Sequence, residues 1–235
     1  MYEAVRVRAD GPTTVARFAS TVARSGFDGL VVRNRHDDWA TYDREEIADA
    51  LGIDVARGIE IHVEDKAGAS GAIGNYRPEA EVLVLQGRDP ELNRYAAESP
   101  RVDVLADPMG GEGDVNHVIV KEAAKNGVHL EMALGPVLRM SGGPRVQALR
   151  GLRKLRELVE AYDAPFVVSA APETHLQVRG WRELVAVGET IGFDRSQIRQ
   201  GLSAWGAIAE RTRERRSAEY VAPGVRREEP ERTEE

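Results

Sequence analysis

Apolar residues along this chain fall into two alternating patterns: short dense runs, and longer stretches in which they recur every three or four positions. Residues 2–8 alternate, with Val5 and Val7 between Arg6 and Arg8, and predict a first strand that Asp10-Gly11-Pro12 stops. Val15, Phe18, Ala19 and Val22 then recur at helical spacing, with Asp10 or Thr13 placed to cap the helix. The run Leu30-Val31-Val32 within residues 27–33 suits a strand covered on both faces. A helix over 43–51 completes the second unit. Residues 57–63 predict a third strand, in which Glu60 and His62 share one face because side chains repeat every two residues. The glycine-rich segment 66–75 reads as loop. Further strands are expected at 80–86, 102–106 and 128–134. Between them lie a helix opened by Asp89-Pro90 and a helix over 115–125 capped by Asp114. After a loop at 135–143, Pro144 opens a helix whose Val146, Leu149, Leu152, Leu155, Leu158 and Val159 form one apolar arc. A strand at 165–170 and helices over 181–190 and 195–211 close the periodic part.

Seven strands alternating with helices argue a parallel sheet wrapped by helices. An open doubly wound sheet would place a glycine-rich phosphate turn after its first strand, and Asp10-Gly11-Pro12 is not one. The fold expected is therefore α/β, a TIM-like (β/α) barrel of seven or eight units. One barrel domain spans 1–210, and 211–235, rich in Arg, Glu and Pro, is expected to be a charged, disordered tail. In such barrels chemistry collects on the loops after the strands.

Composition narrows the setting. The chain has no cysteine, so disulfides and thiolate metal sites are excluded. It contains no run of about 18 apolar residues and no apolar signal core near its start, so no membrane partner and a cytoplasmic location are expected. The formal net charge is −7, and lysine is confined to Lys66, Lys121, Lys125 and Lys154 while arginine is frequent. That balance points to a salt-adapted, halophilic cytosol. At about 1 M salt the Debye length is only ~3 Å, so an acidic balance does not exclude an RNA partner. It requires instead that binding rest on close, bidentate arginine contacts.

Two chemistries compete at the strand ends. Glu60, His62, Asp107, Glu131, His117 and His175 are oxygen and nitrogen donors of the kind that a two-metal phosphoesterase converges on its ions. Against this, a metal barrel of the polymerase-and-histidinol-phosphatase type would be expected to end its first strand in His-X-His, where this chain has Arg6-Val7-Arg8 or Arg8-Ala9-Asp10. Buried Glu60 and Glu131 then read as acceptors paired to a barrel arginine, since a buried carboxylate must be paired. The alternative chemistry is RNA contact. Arg33, Arg88, Arg139 and Arg179 fall at strand ends, loops or helix starts, and His117 and Lys121 lie one turn apart on one helix face.

An ordered series of short motifs carries a resemblance. It runs through Gly58-Ile59-Glu60-Ile61, Asp103-Val104-Leu105 with Asn116-His117-Val118, and Val128-His129-Leu130-Glu131-Met132-Ala133. It continues in Pro165-Phe166-Val167-Val168-Ser169-Ala170-Ala171 and Val178-Arg179-Gly180-Trp181-Arg182-Glu183-Leu184. Over roughly residues 2–210 the chain resembles the archaeal ribonuclease P protein component 3 family, whose barrel is related to the metal-dependent phosphoesterase barrels. Gly180-Trp181 replaces the family's Ser-Pro step, and Ala170-Ala171 its Gly-Ala step. The resemblance implies a subunit of an endoribonuclease that removes the 5′ leader of precursor tRNA. It places the chemistry on an RNA subunit with bound magnesium, and gives this chain no catalytic residue, cofactor or metal of its own. The partners implied are the ribonuclease P RNA, at least one other small protein subunit and, indirectly, precursor tRNA. His117, Lys121 and Arg179 occupy family motif positions; Arg33, Arg88 and Arg139 are added from their placement. A stand-alone metal-dependent phosphoesterase is the alternative.

Overall fold

Each dense apolar run becomes a strand of one parallel sheet, paired in chain order: β1 (Tyr2–Val7), β2 (Gly29–Arg35), β3 (Asp54–Ile61), β4 (Val82–Gln86), β5 (Val104–Ala106), β6 (His129–Ala133) and β7 (Phe166–Ser169). The protein is represented by a computed structural model that describes residues 1–217, 220–222 and 225–226. The helices are α1 (Val15–Arg24), α2 (Arg44–Leu51), α3 (Lys66–Tyr76), α4 (Pro90–Glu98), α5 (His117–Asn126), α6 (Gly135–Arg139), α7 (Gly142–Ala161), α8 (Trp181–Ile191) and α9 (Arg195–Arg216).

The strands sort their residues by size. Leu30, Val32, Ile59, Ile61, Leu83, Leu85, Leu105, Leu130 and Met132 pack with the surrounding helices in one continuous cluster. The alternate positions are small: Ala4, Val31, Ala56, Val82, Val84, Val104, Ala106 and Val167 turn to the inside of the curved sheet. Trp205, Ile208 and Ala209 of α9 complete that second cluster. Small inner residues leave room for one large plug, and Trp205 is it, donating its indole N–H to the Val168 carbonyl at 2.9 Å.

Among the described residues β7 and β1 form no ladder, so the barrel is nearly rather than fully closed. Two contacts bridge the seam, one from the Arg6 backbone and one through the Glu3 carboxyl to Ala170. The Arg6 N–H donates to the Pro172 carbonyl at 2.9 Å. The fully buried Glu3 carboxyl accepts the N–H groups of Ala4 (2.9 Å) and Ala170 (3.0 Å). Helix α9 lies across the same seam and approaches closely at Gly206, where an added Cβ would stand 2.3 Å from the Tyr2 ring. Its last turns are tied to the starts of the strands: Arg213 donates to Asp54 (2.9 Å) and Glu81 (2.9 and 3.1 Å).

Several expected features differ. Residues 66–75 are not a loop but most of α3, which the Asp65 carboxylate caps through the Gly68 N–H at 2.8 Å. Each interior glycine costs a helix about 1 kcal/mol, but Gly71 and Gly74 lie on the exposed side while Ala69 and Ile73 bury the other. The cap of α1 is Thr14 rather than Asp10 or Thr13, and that of α5 is Asn116 rather than Asp114. Asp114 instead pairs with Lys154 at 2.5 Å. The expected loop 135–143 contains helix α6 and the start of α7. Helix α9 continues five residues past 211, and β8 (Tyr220–Ala222) pairs antiparallel with β9 (Val225–Arg226). The rest of the expected tail lies outside the described residues.

Burial raises the pKa of Glu3 to about 8, against the opposing pull of the Ala170 and Ala4 N–H groups. An unfolded glutamate releases its proton near 4.5. Between those values the folded chain holds the extra proton, so its stability falls as pH rises. Denaturant melts of wild type and Glu3→Gln from pH 5 to 8.5 should start close together, with wild type losing on the order of a few kcal/mol relative to the variant. A difference independent of pH would contradict this titration.

Candidate functional site

At the ends of the strands, inward-facing charged residues replace the small apolar ones. Strand alternation puts Arg6 above Ala4, Arg33 above Val31 and Glu60 two residues beyond Gly58, and the parallel register sets Arg6 beside Arg33. Glu131 enters from β6. Arg33, 1% exposed, lies between the two carboxylates. Its Nη1 and Nη2 donate to Glu131 Oε1 and Oε2 at 2.6 and 3.3 Å. Its Nε stands 3.1 Å from Glu60 Oε2, within ion-pair distance although not aligned for a hydrogen bond. Arg6 grips Glu60 with Nε and Nη2, both at 3.1 Å, and His62 Nε2 lies 3.2 Å from the same carboxylate. The Ser169 hydroxyl donates to Glu131 at 2.7 Å, and the Arg33 guanidinium lies 5.5 Å above the Trp205 ring.

Burial opposes the charge on Glu60, but Arg33, Arg6 and His62 outweigh it and hold its pKa well below the ordinary carboxylate range. Arg6 loses by burial and gains more from Glu60 and Glu131, so its pKa is raised. With Glu3 protonated near neutrality, two guanidiniums face two carboxylates and the buried cluster balances. Above it opens a cleft of about 290 Å³. Arg8, Arg35, Arg88, Asp107 and Glu173 form its rim. Arg35 is held by Asp37 at 2.6 and 2.9 Å, and Arg88 Nε stands 3.4 Å from Asp107. Burial, followed by the Glu131 charge, raises the pKa of Asp107. Arg8 makes no ion pair among the described residues.

The residues singled out from the sequence separate into three places. Arg33 is corrected as an RNA contact: it is sealed in the barrel with both faces of its fork committed to carboxylates. Arg88 stays on the rim, 54% exposed, in the left-handed region at φ 69°. Arg139, on α6, turns back towards the Ala170 and Ala171 carbonyls at 3.5 and 3.4 Å, and Arg179 is steadied by the Leu176 and Val178 carbonyls at 3.0 and 2.9 Å. Burial lowers the pKa of Arg139, with Arg179 and Arg6 adding to the effect and Glu173 opposing it. His117 and Lys121 lie apart from the cleft on α5. There the imidazole ring stands 6.4 Å from the Tyr162 ring and Lys121 Nζ 5.0 Å above it.

The donor set does not fit a metal. Glu60 and Glu131 are already ligated by guanidiniums, and His175 Nδ1 is 3.0 Å from the Thr13 hydroxyl. No group of three or more His, Asp or Glu residues that could hold an ion exists among the described residues. The sequence signals Arg6 only as an obstacle to a metal; its grip on Glu60, and the part of Ser169, depend on contacts between distant strands.

The same barrel occurs among known proteins. The family model described as "RNase P subunit p30" matches residues 1–217. Ribonuclease P protein component 3 of Haloarcula marismortui is 57% identical, over 97% of each chain. Among solved structures, a chain of archaeal ribonuclease P with mature tRNA superposes with a TM-score of 0.83 at 22% identity, covering 98% of this chain and 99% of that one. Histidinol phosphate phosphatase from Lactococcus lactis, solved with zinc, L-histidinol and phosphate, shares the barrel at a TM-score of 0.54 and 10% identity, over 82% and 94% of the two chains.

Replacing Arg33 by Met would strand Glu131 in the barrel with only the Ser169 hydroxyl, and removing one partner of a buried ion pair costs about 3–5 kcal/mol. Urea unfolding of Arg33→Met should show a loss of that order, and Arg33→Met/Glu131→Met should recover part of it. Additive losses in the double variant would break the assigned pairing.

Proposed function

The chain belongs to the RNase P subunit p30 family, and on that premise we propose that it is a protein subunit of ribonuclease P, supporting a catalytic RNA in removal of the 5′ leader from precursor tRNA. The observation that carries this reading is the end-to-end match, 97% of each chain, with a ribonuclease P protein component. The barrel mouth supports it. Glu60 and Glu131 are spent on Arg6 and Arg33, so these two carboxylates are not free to act as a general base or to cradle a metal there. The chemistry then belongs to the RNA and its bound magnesium, and the protein acts by binding and positioning.

On this reading the partners are the ribonuclease P RNA and at least one other small protein subunit, with precursor tRNA reached through them, in a salt-rich cytoplasm. Arg88, Arg139 and Arg179 near the mouth, and His117 with Lys121 on the flank, are the proposed RNA contacts. Short guanidinium–phosphate bonds suit this setting, because salt screens the longer-range field. The alternative of a stand-alone metal-dependent phosphoesterase has the shared barrel in its favour and the ligated carboxylates against it.

Reconstitution tests the proposal. Adding the chain with its partner subunit to the RNA at molar salt should raise the rate of 5′-leader cleavage and lower the magnesium required. The chain alone, supplied with zinc or manganese, should hydrolyse no phosphate ester. Unchanged rate and magnesium requirement on omitting the chain would sink the subunit reading.

A further inference from the structure

A second arginine cluster lies at the opposite end of the barrel, where the strands begin. A cleft of about 500 Å³ opens between the end of α3, the segments entering β5 and β6, and the last turns of α9. Arg77, Arg101, Arg211, Arg215 and Arg216 line it, and Asp103 is the one carboxylate in its wall. Asp103 is already engaged: it accepts from Arg77, from Arg211 at 3.2 Å and from the Leu83 N–H at 2.8 Å.

Backbone carbonyls further orient Arg77 and Arg216. Arg216 donates to the Arg77 and Ala80 carbonyls at 2.9 and 2.7 Å, and Arg77 donates to the Ala80 carbonyl at 2.8 Å. Carbonyl oxygens fix a guanidinium's direction and leave its charge in place. Burial, followed by the neighbouring Arg77 charge, lowers the pKa of Arg216 against the opposing pull of Glu81 and Asp103. Arg101 reaches only the Ile73 carbonyl, at 3.5 Å. Arg215 makes no hydrogen bond or ion pair among the described residues. Arg77 and Arg211 have a structural role through Asp103; Arg101 and Arg215 form no ion pair among the described residues. Yet this crowding of cations occurs in a chain whose net charge is −7.

We infer that this cleft is a phosphate-binding site that grips the sugar-phosphate backbone of RNA, separate from the barrel mouth. The identity of the polyanion rests on the ribonuclease P reading; the site itself rests on the cleft. Guanidinium forks drawn from separate segments, two of them held by backbone carbonyls, suit phosphate oxygens. A docked peptide would need an apolar or aromatic anchor at its centre, and Pro78, Pro100 and Val102 are the apolar residues of the lining. No aromatic side chain lines it on which a base could stack. Recognition is therefore of backbone charge, independent of base sequence.

The test uses the full chain carrying Arg101→Ala and Arg215→Ala, which leaves the Asp103 pairs intact. Binding to ribonuclease P RNA is measured across a potassium chloride titration, alongside thermal melting and cleavage by the reconstituted particle. The expected result is unchanged melting, affinity weaker by roughly tenfold or more, and a plot of log K against log salt shallower by about 1.8, or ~0.9 for each lost phosphate contact. Arg101→Lys/Arg215→Lys should restore most of the slope. Wild-type affinity and slope in the alanine variant, within a particle that the wild-type chain still stimulates, would overturn the cleft and leave the subunit reading standing. Intact RNA binding with loss of the protein partner would assign the cleft to an acidic protein and overturn it equally. If the wild-type chain itself neither binds RNA nor stimulates cleavage, the subunit reading fails and the inference falls with it.

Discussion

The Arg33 guanidinium, sealed between Glu60 and Glu131, is the contact on which the upper half of the barrel depends. Two carboxylates taken out of water repel each other and lose hydration, and neither burial is tolerable without a cation between them. A lysine would not serve as well. The planar guanidinium reaches Glu131 with two nitrogens and Glu60 with a third, while its face lies over Trp205. Arg6 then closes the outer side of Glu60, and the chain of charges ends at the cleft.

That arrangement links fold to function. The phosphatase barrel of similar shape was solved with zinc, whereas here guanidiniums bind the carboxylates that could have held an ion. A fixed guanidinium balances Glu60 and Glu131 inside the barrel and needs no loading. Arginine side chains remain exposed at both ends of an acidic chain. In concentrated salt only direct contacts hold, so clefts with pre-aimed arginines are more useful than a broad positive field.

The seam shows a similar economy. Seven strands leave a gap between β7 and β1, which α9 covers and the Glu3 carboxyl stitches. The close approach at Gly206 and the Arg213 ion pairs mean that the last helix is part of the barrel. Its Arg-rich end looked like the start of a tail because polar residues that bind strand starts are indistinguishable, in composition, from polar residues that bind water.

Local patterning by itself determined the seven strands, most helices and the barrel class, because strand and helix periodicities are imposed by the covalent geometry of the chain. It also marked Glu60 and Glu131 as paired acceptors, since a carboxylate within an apolar run has no other means of staying buried. Only the tertiary structure decided which cation pairs with them. Arg33 and Arg88 both end strands in the sequence, yet one is enclosed and the other stands on the rim. The difference lies in where the strands end, β2 running on to Arg35 while β4 stops at Gln86, and in partners 98 residues away, as Glu131 is from Arg33. The helix at 66–76 and the arginine cleft beneath the barrel were decided in the same way: burial of Ala69 and Ile73 overrode glycine's cost, and α9 brought Arg211, Arg215 and Arg216 against Arg77 and Arg101.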